Sequence, residues 1–111
     1  MSKWYWRDGS LAVDMNNPDW SSQMKKLDKK IQDRTYKIVK QETLSNGYFV
    51  STVWLGIDHS FSFLEPHTPL IFETMVFPKK GNYKDLDMDR YSTEKEALSG
   101  HNKMVKKWSK K

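Results

Sequence analysis

Asp58 and His59 stand side by side where a run of alternating apolar residues ends, and a carboxylate next to an imidazole is the first constellation to test for acid–base chemistry. Neighbours on a regular strand point to opposite faces, so the pair can line one pocket only if the strand end twists or bulges. His59 continues the side of Leu55 and Ile57, against which a later helix carrying His101 is expected to lie. The two histidines, with a carboxylate such as Glu73, would make the three protein ligands of a zinc site. A helix histidine among Ala97, Met104 and Trp108 has a simpler role, hydrogen-bonded in the core to backbone or carboxylate. His59, His101 and Glu73 are therefore weak metal candidates, and the sequence names no catalytic residue and no cofactor.

Asp85, Asp87 and Asp89, followed by Glu96, match the first, third, fifth and twelfth positions of a calcium loop. Arg90 occupies the position where glycine permits the sharp turn, and Glu96 is already accounted for as part of a helix cap. The acidic trio reads better as charge offered to a basic partner. Trp54 falls on a mixed face with Lys37, Val39 and Asp58, opposite the expected core. Left uncovered there, it would anchor a protein partner or stack a base, with Lys37 and Asp58 beside it. Other enzyme signatures are missing: no Gly-x-Ser-x-Gly elbow, no phosphate-cradling glycine loop, no His-Glu-x-x-His and no basic recognition helix.

These residues are positioned by a chain that alternates apolar and polar side chains from Tyr36 to Phe77, with Asn46-Gly47 at the first reversal. Taking Asn46 and Gly47 as the central turn residues pairs Leu44 with Phe49, Val39 with Trp54, Ile38 with Leu55 and Tyr36 with Ile57. Tyr36, Ile38, Phe49, Val53, Leu55 and Ile57 then share the apolar face, and Trp54 the opposite one. A third strand is expected over Leu70 to Phe77, after a loop from Ser60 to Pro69; no tight turn fixes its register, so the face carrying Glu73 is open. Pro78 ends it, and Asn82 to Arg90 reads as an acidic loop.

Before this meander, Trp4 to Val13 reads as a short hairpin turning at Asp8-Gly9. Asn17-Pro18 opens a helix whose Trp20, Met24, Leu27 and Ile31 form one stripe, expected to dock, with Lys25, Lys26, Lys29 and Lys30 off it. After the meander, Thr93 and Glu96 make a capping box for a helix that packs through Ala97, His101, Met104, Val105 and Trp108. Gly100 in its interior costs about 1 kcal/mol against alanine, and close approach of helix to sheet is the expected compensation. The expected fold is α+β: a three-stranded antiparallel meander packed with two helices, plus a short N-terminal β-hairpin, in two layers and one domain over residues 1–111.

The chain carries a formal charge of +5. Residues 1–33 hold six basic and five acidic groups, residues 34–91 seven and seven, and residues 92–111 six and two. The excess therefore sits in the last helix, where Lys103, Lys106, Lys107 and Lys110, together with Lys79 and Lys80, could track phosphates, although a solvated helix end explains the excess more simply. No cysteine is present, which fits a reducing compartment. Trp-Tyr-Trp-Arg-Asp-Gly stands where a signal peptide would need an apolar core, and no segment approaches a membrane span, so a cytoplasmic product without membrane association is expected.

Three strings, Val-Ser-Thr-Val-Trp-Leu-Gly-Ile-Asp-His (50–59), Pro-Leu-Ile-Phe-Glu-Thr-Met-Val-Phe (69–77) and Arg-Tyr-Ser-Thr-Glu-Lys-Glu-Ala-Leu-Ser-Gly-His (90–101), resemble a group of small phage and prophage proteins. The resemblance implies a viral origin and assigns no reaction, ligand or catalytic residue. Together with the residues it points to a phage accessory protein that binds a host or phage protein stoichiometrically, as an anti-defence inhibitor would. The expected partner-binding residues are Trp54, Asp58, Lys37, Asp85, Asp87 and Asp89. A nucleic-acid-binding module and a small metal- or nucleotide-dependent enzyme built on His59 and His101 are the alternatives, and a homodimer through a sheet edge or the Trp54 face is a further expectation.

Overall fold

The computed structural model describes residues 3–60 and 68–111. Its elements are α1 (Trp20–Gln32), the single turn α2 (Arg34–Lys37), β1 (Ile38–Thr43), β2 (Phe49–Trp54), β3 (Phe72–Phe77), β4 (Asp87–Tyr91) and α3 (Glu94–Ser109). The strands form one antiparallel sheet in the order β1-β2-β3-β4, and α3 lies across all four on one face. The α+β class follows the sequence pattern, while the three-stranded meander is corrected to four strands. Within the stretch read as an acidic loop, residues 87–91 pair with β3, Thr74 opposite Asp89 and Phe72 opposite Tyr91. Aspartate is a poor strand former in isolation. Here Asp87 and Asp89 accept the backbone N–H groups of Met88 and Arg90, so each carboxylate satisfies an amide that the ladder to β3 does not need. Much of the connection from Ser60 to Pro69 lies outside the described residues.

The β1–β2 turn decides which face is the core. Gly47 N–H donates to Leu44 O at 2.9 Å, Leu44 N–H donates to Tyr48 O at 2.8 Å, and Gly47 has φ +98°. Ser45 and Asn46 are thus the central pair of a turn and Gly47 is the left-handed residue that closes a three-residue loop. Asn46 and Gly47 are not the two central residues expected. The pairing accordingly moves by one: Thr43 faces Phe49, Gln41 faces Ser51 and Lys40 faces Thr52. The same geometry occurs at Arg7-Asp8-Gly9, where Gly9 has φ +90° and Trp6 N–H donates to Ser10 O at 2.8 Å.

Because side chains alternate with period two, the one-residue offset puts Glu42 and Leu44 on the face of Val50, Thr52 and Trp54 and not on that of Phe49 and Val53. The face under α3 carries Glu42, Leu44, Val50, Thr52, Trp54, Phe72, Thr74, Val76 and Tyr91, and Val50, Trp54, Phe72 and Val76 are fully buried. Val53 lies on the other face, opposite Glu73, so the expected roofing of Ile38, Val53, Leu55 and Ile57 by the His101 helix is overturned. An irregularity between Ile38 and Lys40 turns Val39 into the Trp54 cluster. Tyr36, expected on the first strand, belongs to α2 instead.

α3 packs as its stripe predicts, through Ala97, His101 and Met104, with Val105 and Trp108 partly buried. Thr93 Oγ1 accepts the Glu96 N–H at 3.1 Å and donates to Glu96 Oε1 at 3.0 Å, which holds the first turn. Gly100 is the point of closest approach. A Cβ there would fall well inside van der Waals contact with the ring and hydroxyl of Tyr91. Gly100→Ala should gain about 1 kcal/mol of helix propensity and lose about 1–3 kcal/mol to overpacking. A net loss in urea-midpoint stability is expected, and trimming the ring in a Gly100→Ala, Tyr91→Leu double variant should remove the overpacking cost. A single variant more stable than the parent would show that helix and sheet do not need this contact.

The N-terminal hairpin is sewn to the continuation of β2. Tyr5 N–H donates to Gly56 O at 2.7 Å, Asp58 N–H donates to Lys3 O at 3.0 Å, and Trp4 bridges Ile57. Gly56 has φ +81°, and a Cβ there would stand 2.9 Å from Trp54 Cζ2 and 3.1 Å from Trp4 Cε3, so the chain can turn here only as glycine. α1 starts at Trp20, two residues after Pro18, and Asn17 Oδ1 accepts the Asp19 N–H before it. Of its expected stripe, Leu27 is fully buried and Ile31 half-buried, whereas Trp20 and Met24 remain exposed.

Candidate functional site

His101 is fully buried beneath α3, and both its nitrogens are engaged. Nε2 lies 2.7 Å from Glu42 Oε1, Nδ1 lies 2.7 Å from Thr52 Oγ1, and Thr52 Oγ1 lies 2.6 Å from Thr74 Oγ1. Burial lowers the His101 pKa, opposed by the Glu42 carboxylate and assisted by Lys40, so the neutral ring is the stable form. A carboxylate only accepts, which places the proton on Nε2 and leaves Nδ1 to accept from Thr52; Thr52 must then accept from Thr74. All three hydroxyl and imidazole groups are thereby oriented in one direction. The Tyr91 hydroxyl closes the far end, buried and without a well-formed hydrogen bond. Burial raises its pKa, the nearby Thr74 side chain opposing, and the Asp89 and Asp87 charges add to the rise.

Carboxylate, imidazole and hydroxyl in series have the connectivity of a nucleophilic triad. Thr52 is fully buried in the middle of β2 and its oxygen is already bound to Thr74, so no substrate carbonyl can reach it. The arrangement is a buried polar spine that fixes α3 on the sheet. His101 thus has the carboxylate-bonded structural role, and the metal and acid–base alternatives are corrected. Glu73 lies on the opposite face, where its Oε2 accepts from Arg90 Nε at 3.0 Å. His59 lies beyond the turn at Gly56, its amide donating to Leu70 O at 2.9 Å. Among the described residues no three histidine or carboxylate groups converge as metal ligands.

The expected partner-binding set is dispersed. Trp54 is 1% exposed. Its Nε1 donates to Tyr5 O at 2.9 Å, its ring stacks on Trp6 with centroids 6.4 Å apart, and Tyr36 meets it edge-on at 5.1 Å. Trp54 is a core residue, and the docking face assigned to it does not exist. Lys37 does come close to it: both line a recess of about 360 Å³ with Trp4, Ile31, Val53 and Leu55. Asp58 Oδ1 accepts the amides of Ser60 and Leu70, at 2.8 and 2.9 Å, and so closes the neck of the β2–β3 connection. Asp87 Oδ2 accepts from Lys107 Nζ at 2.7 Å and Trp108 Nε1 at 2.9 Å. Those two bonds hold its pKa below the ordinary carboxylate value. Asp87 and Lys107 are therefore a tie between β4 and α3, and neither is offered to a partner. Asp85 and Asp89 are exposed, as are Lys103, Lys106 and Lys110.

What the residue pattern missed is a groove between the hairpin and α1. Trp4, Leu11, Val13, Met15, Trp20 and Met24 line a cavity of about 450 Å³, with Lys3, Asp14 and Asn16 at its polar margin. Leu11 is 43% exposed, Met15 55%, Trp20 42% and Met24 37%, which concentrates in one place half of the exposed large apolar residues among those described. Scattered apolar side chains are ordinary on a surface, whereas a contiguous patch marks a contact site. Met15 and Met24 can adapt to the shape of an occupant. The margin is shaped by Gln23 Oε1, which accepts the Asp14 N–H at 2.8 Å and pins the segment before α1 to the helix. The only signal in the sequence was a helical stripe whose first half, Trp20 and Met24, had no partner stretch assigned to it.

Searches against protein-family models, curated proteins and solved structures return no match for this chain. No helix among the described residues is long and apolar enough to cross a membrane.

Proposed function

We propose that this chain is a phage-encoded accessory protein that acts without catalysis, by stoichiometric binding of a host protein through the groove between the hairpin and α1. The observation that carries this reading is the joint exposure of Leu11, Met15, Trp20 and Met24 around one cavity. The occupant is a bulky apolar segment with acidic flanks. Off the stripe that lines the groove, α1 presents Lys25, Lys26, Lys29 and Lys30 against Asp28 alone, so a partner that reaches past Trp20 and Met24 around the helix meets that charge. A second copy fits less well, because a symmetric contact would bring two such lysine-rich helices together. The Glu42–His101–Thr52–Thr74 network is sealed from substrate, which favours binding over chemistry, and a defence component of the host is the kind of target such a binder serves.

Trp20→Ser with Met24→Ser alters exposed side chains and should leave the unfolding midpoint close to the parent's. In host cells the parent chain should copurify as a one-to-one complex whose partner contacts it through an acidic apolar segment, and the double variant should weaken that complex at least tenfold. Survival of the complex in the double variant, or sedimentation of the chain as a dimer that the double variant dissociates, would overturn the reading.

A further inference from the structure

The sheet has two edges, and the chain closes only one of them. On β4 the outward amides of Met88 and Arg90 are taken up, each at 2.9 Å, by the carboxylates of Asp87 and Asp89. β1 is the other edge. Leu44 N–H donates to Tyr48 O across the turn, so by the alternation of an antiparallel ladder Glu42 and Lys40 also direct their backbone groups to β2, and Gln41 and Thr43 direct theirs outward. Gln41 and Thr43 are exposed, and neither outward amide is bonded by a side chain or loop among the described residues. Such an edge is a template for a further strand.

The order of charges along β1 says which strand fits. Lys40 and Glu42 flank Gln41 and project on the α3 face, Lys40 Nζ standing 4.0 Å from Glu42 Oε1 with the two side chains 45% and 37% exposed. A second copy laid antiparallel against β1, with the two-fold axis at Gln41, sets each Lys40 opposite the second copy's Glu42. Opposite charges facing across a strand pair stabilise it, and like charges destabilise it. Shifting the axis to Lys40 opposes lysine to lysine, and shifting it to Glu42 opposes carboxylate to carboxylate. A lysine on an edge ordinarily discourages pairing, whereas here it selects one register. At the axis the two Gln41 backbones exchange hydrogen bonds, and Thr43 N–H meets the second copy's Val39 O. The Gln41 side chain is held on the opposite face by its bond to Ser51 Oγ at 2.8 Å, and an amide, both donor and acceptor, can bond its own copy.

We infer that β1 is a self-association edge: a second copy of this chain pairs with it antiparallel over residues 39–43, about an axis at Gln41, and joins the two four-stranded sheets into one. The assembly closes at two copies, because the contact uses each β1 edge once and each β4 edge is capped by its aspartates. Leu11, Met15, Trp20 and Met24 take no part in this contact, so it stands independently of the groove.

Sedimentation equilibrium of the full chain from about 5 to about 500 µM should show a monomer of 13.2 kDa giving way to a species of twice that mass. Hydrogen exchange at the Gln41 and Thr43 amides should slow as the dimer fills. Thr43→Pro removes an outward donor without touching the bonds to β2, and Lys40→Glu sets two carboxylates against each other; each should weaken dimerisation at least about tenfold. Trp20→Ser with Met24→Ser should leave the dimer intact. A chain that stays monomeric to about 500 µM, a dimer whose Gln41 and Thr43 amides exchange as fast as the monomer's, or one that survives both Thr43→Pro and Lys40→Glu would each overturn the assignment.

Discussion

Trp54→Ala is expected to destabilise the fold by about 3–5 kcal/mol, the cost of emptying a fully buried aromatic site. The side chain is 1% exposed and joins three parts of the chain: the hairpin through Trp6 and Tyr5 O, α2 through Tyr36, and β3 through Phe72 opposite it. Its loss leaves a cavity under the one strand to which the N-terminal segment is attached. Trp54→Phe should recover part of the loss, since it restores ring volume but not the Nε1 bond. Urea unfolding followed by far-ultraviolet circular dichroism measures both. A Trp54→Ala chain that kept its unfolding midpoint would mean that the tryptophan is not part of the core. The same variant is consequently a poor probe of partner binding, because any loss of function would report unfolding.

The second large effect belongs to His101. Removing it as His101→Ala should cost about 2–4 kcal/mol, combining a cavity beneath α3 with the lost bonds to Thr52 and Glu42. Thr52→Val is a gentler test of the same spine: it keeps the shape, leaves buried Nδ1 without a donor, and should cost about 1–3 kcal/mol. The spine also makes stability depend on pH. His101 has its folded-state pKa lowered from 6.5, so between the two values the unfolded chain takes up a proton that the native chain refuses. The contribution is fully present above 6.5 and is lost as pH falls toward the folded-state value. Parental stability should therefore decline from about pH 7 to about pH 5.5 more steeply than that of His101→Ala, and equal slopes for the two chains would refute the linkage.

Local sequence fixes the burial of His101 but not that of Trp54. His101 was legible because a helical stripe needs only local spacing: Ala97, His101, Met104 and Trp108 lie on one side of any α-helix, and Thr93 with Glu96 marks its start. Trp54 was not legible because strand faces depend on register. β2 runs Phe49-Val50-Ser51-Thr52-Val53-Trp54, with an aromatic and a valine on each face, so its own composition does not say which side is buried. The turn had to break that symmetry. Asn46-Gly47 fits a two-residue and a three-residue loop equally well as a string of letters, and the choice between them decides which β2 face Glu42 and Leu44 join. The groove failed to show for a related reason: Trp20 and Met24 have the spacing of core residues, and only the placement of the hairpin determines that nothing covers them.

The chain by itself determined its local structure: antiparallel strands from the alternation, a capped helix with a buried histidine from the stripe, and left-handed turns at Gly9 and Gly47. Tertiary structure alone decided which sheet face α3 covers, that Asp87 and Lys107 neutralise each other, and that β4 pairs despite its aspartates. The division has a physical cause. Backbone geometry and periodicity act over a few residues and are written in the order of the side chains, whereas burial, ion pairing and surface exposure depend on segments far apart in the chain, whose meeting is settled by packing the whole molecule at once.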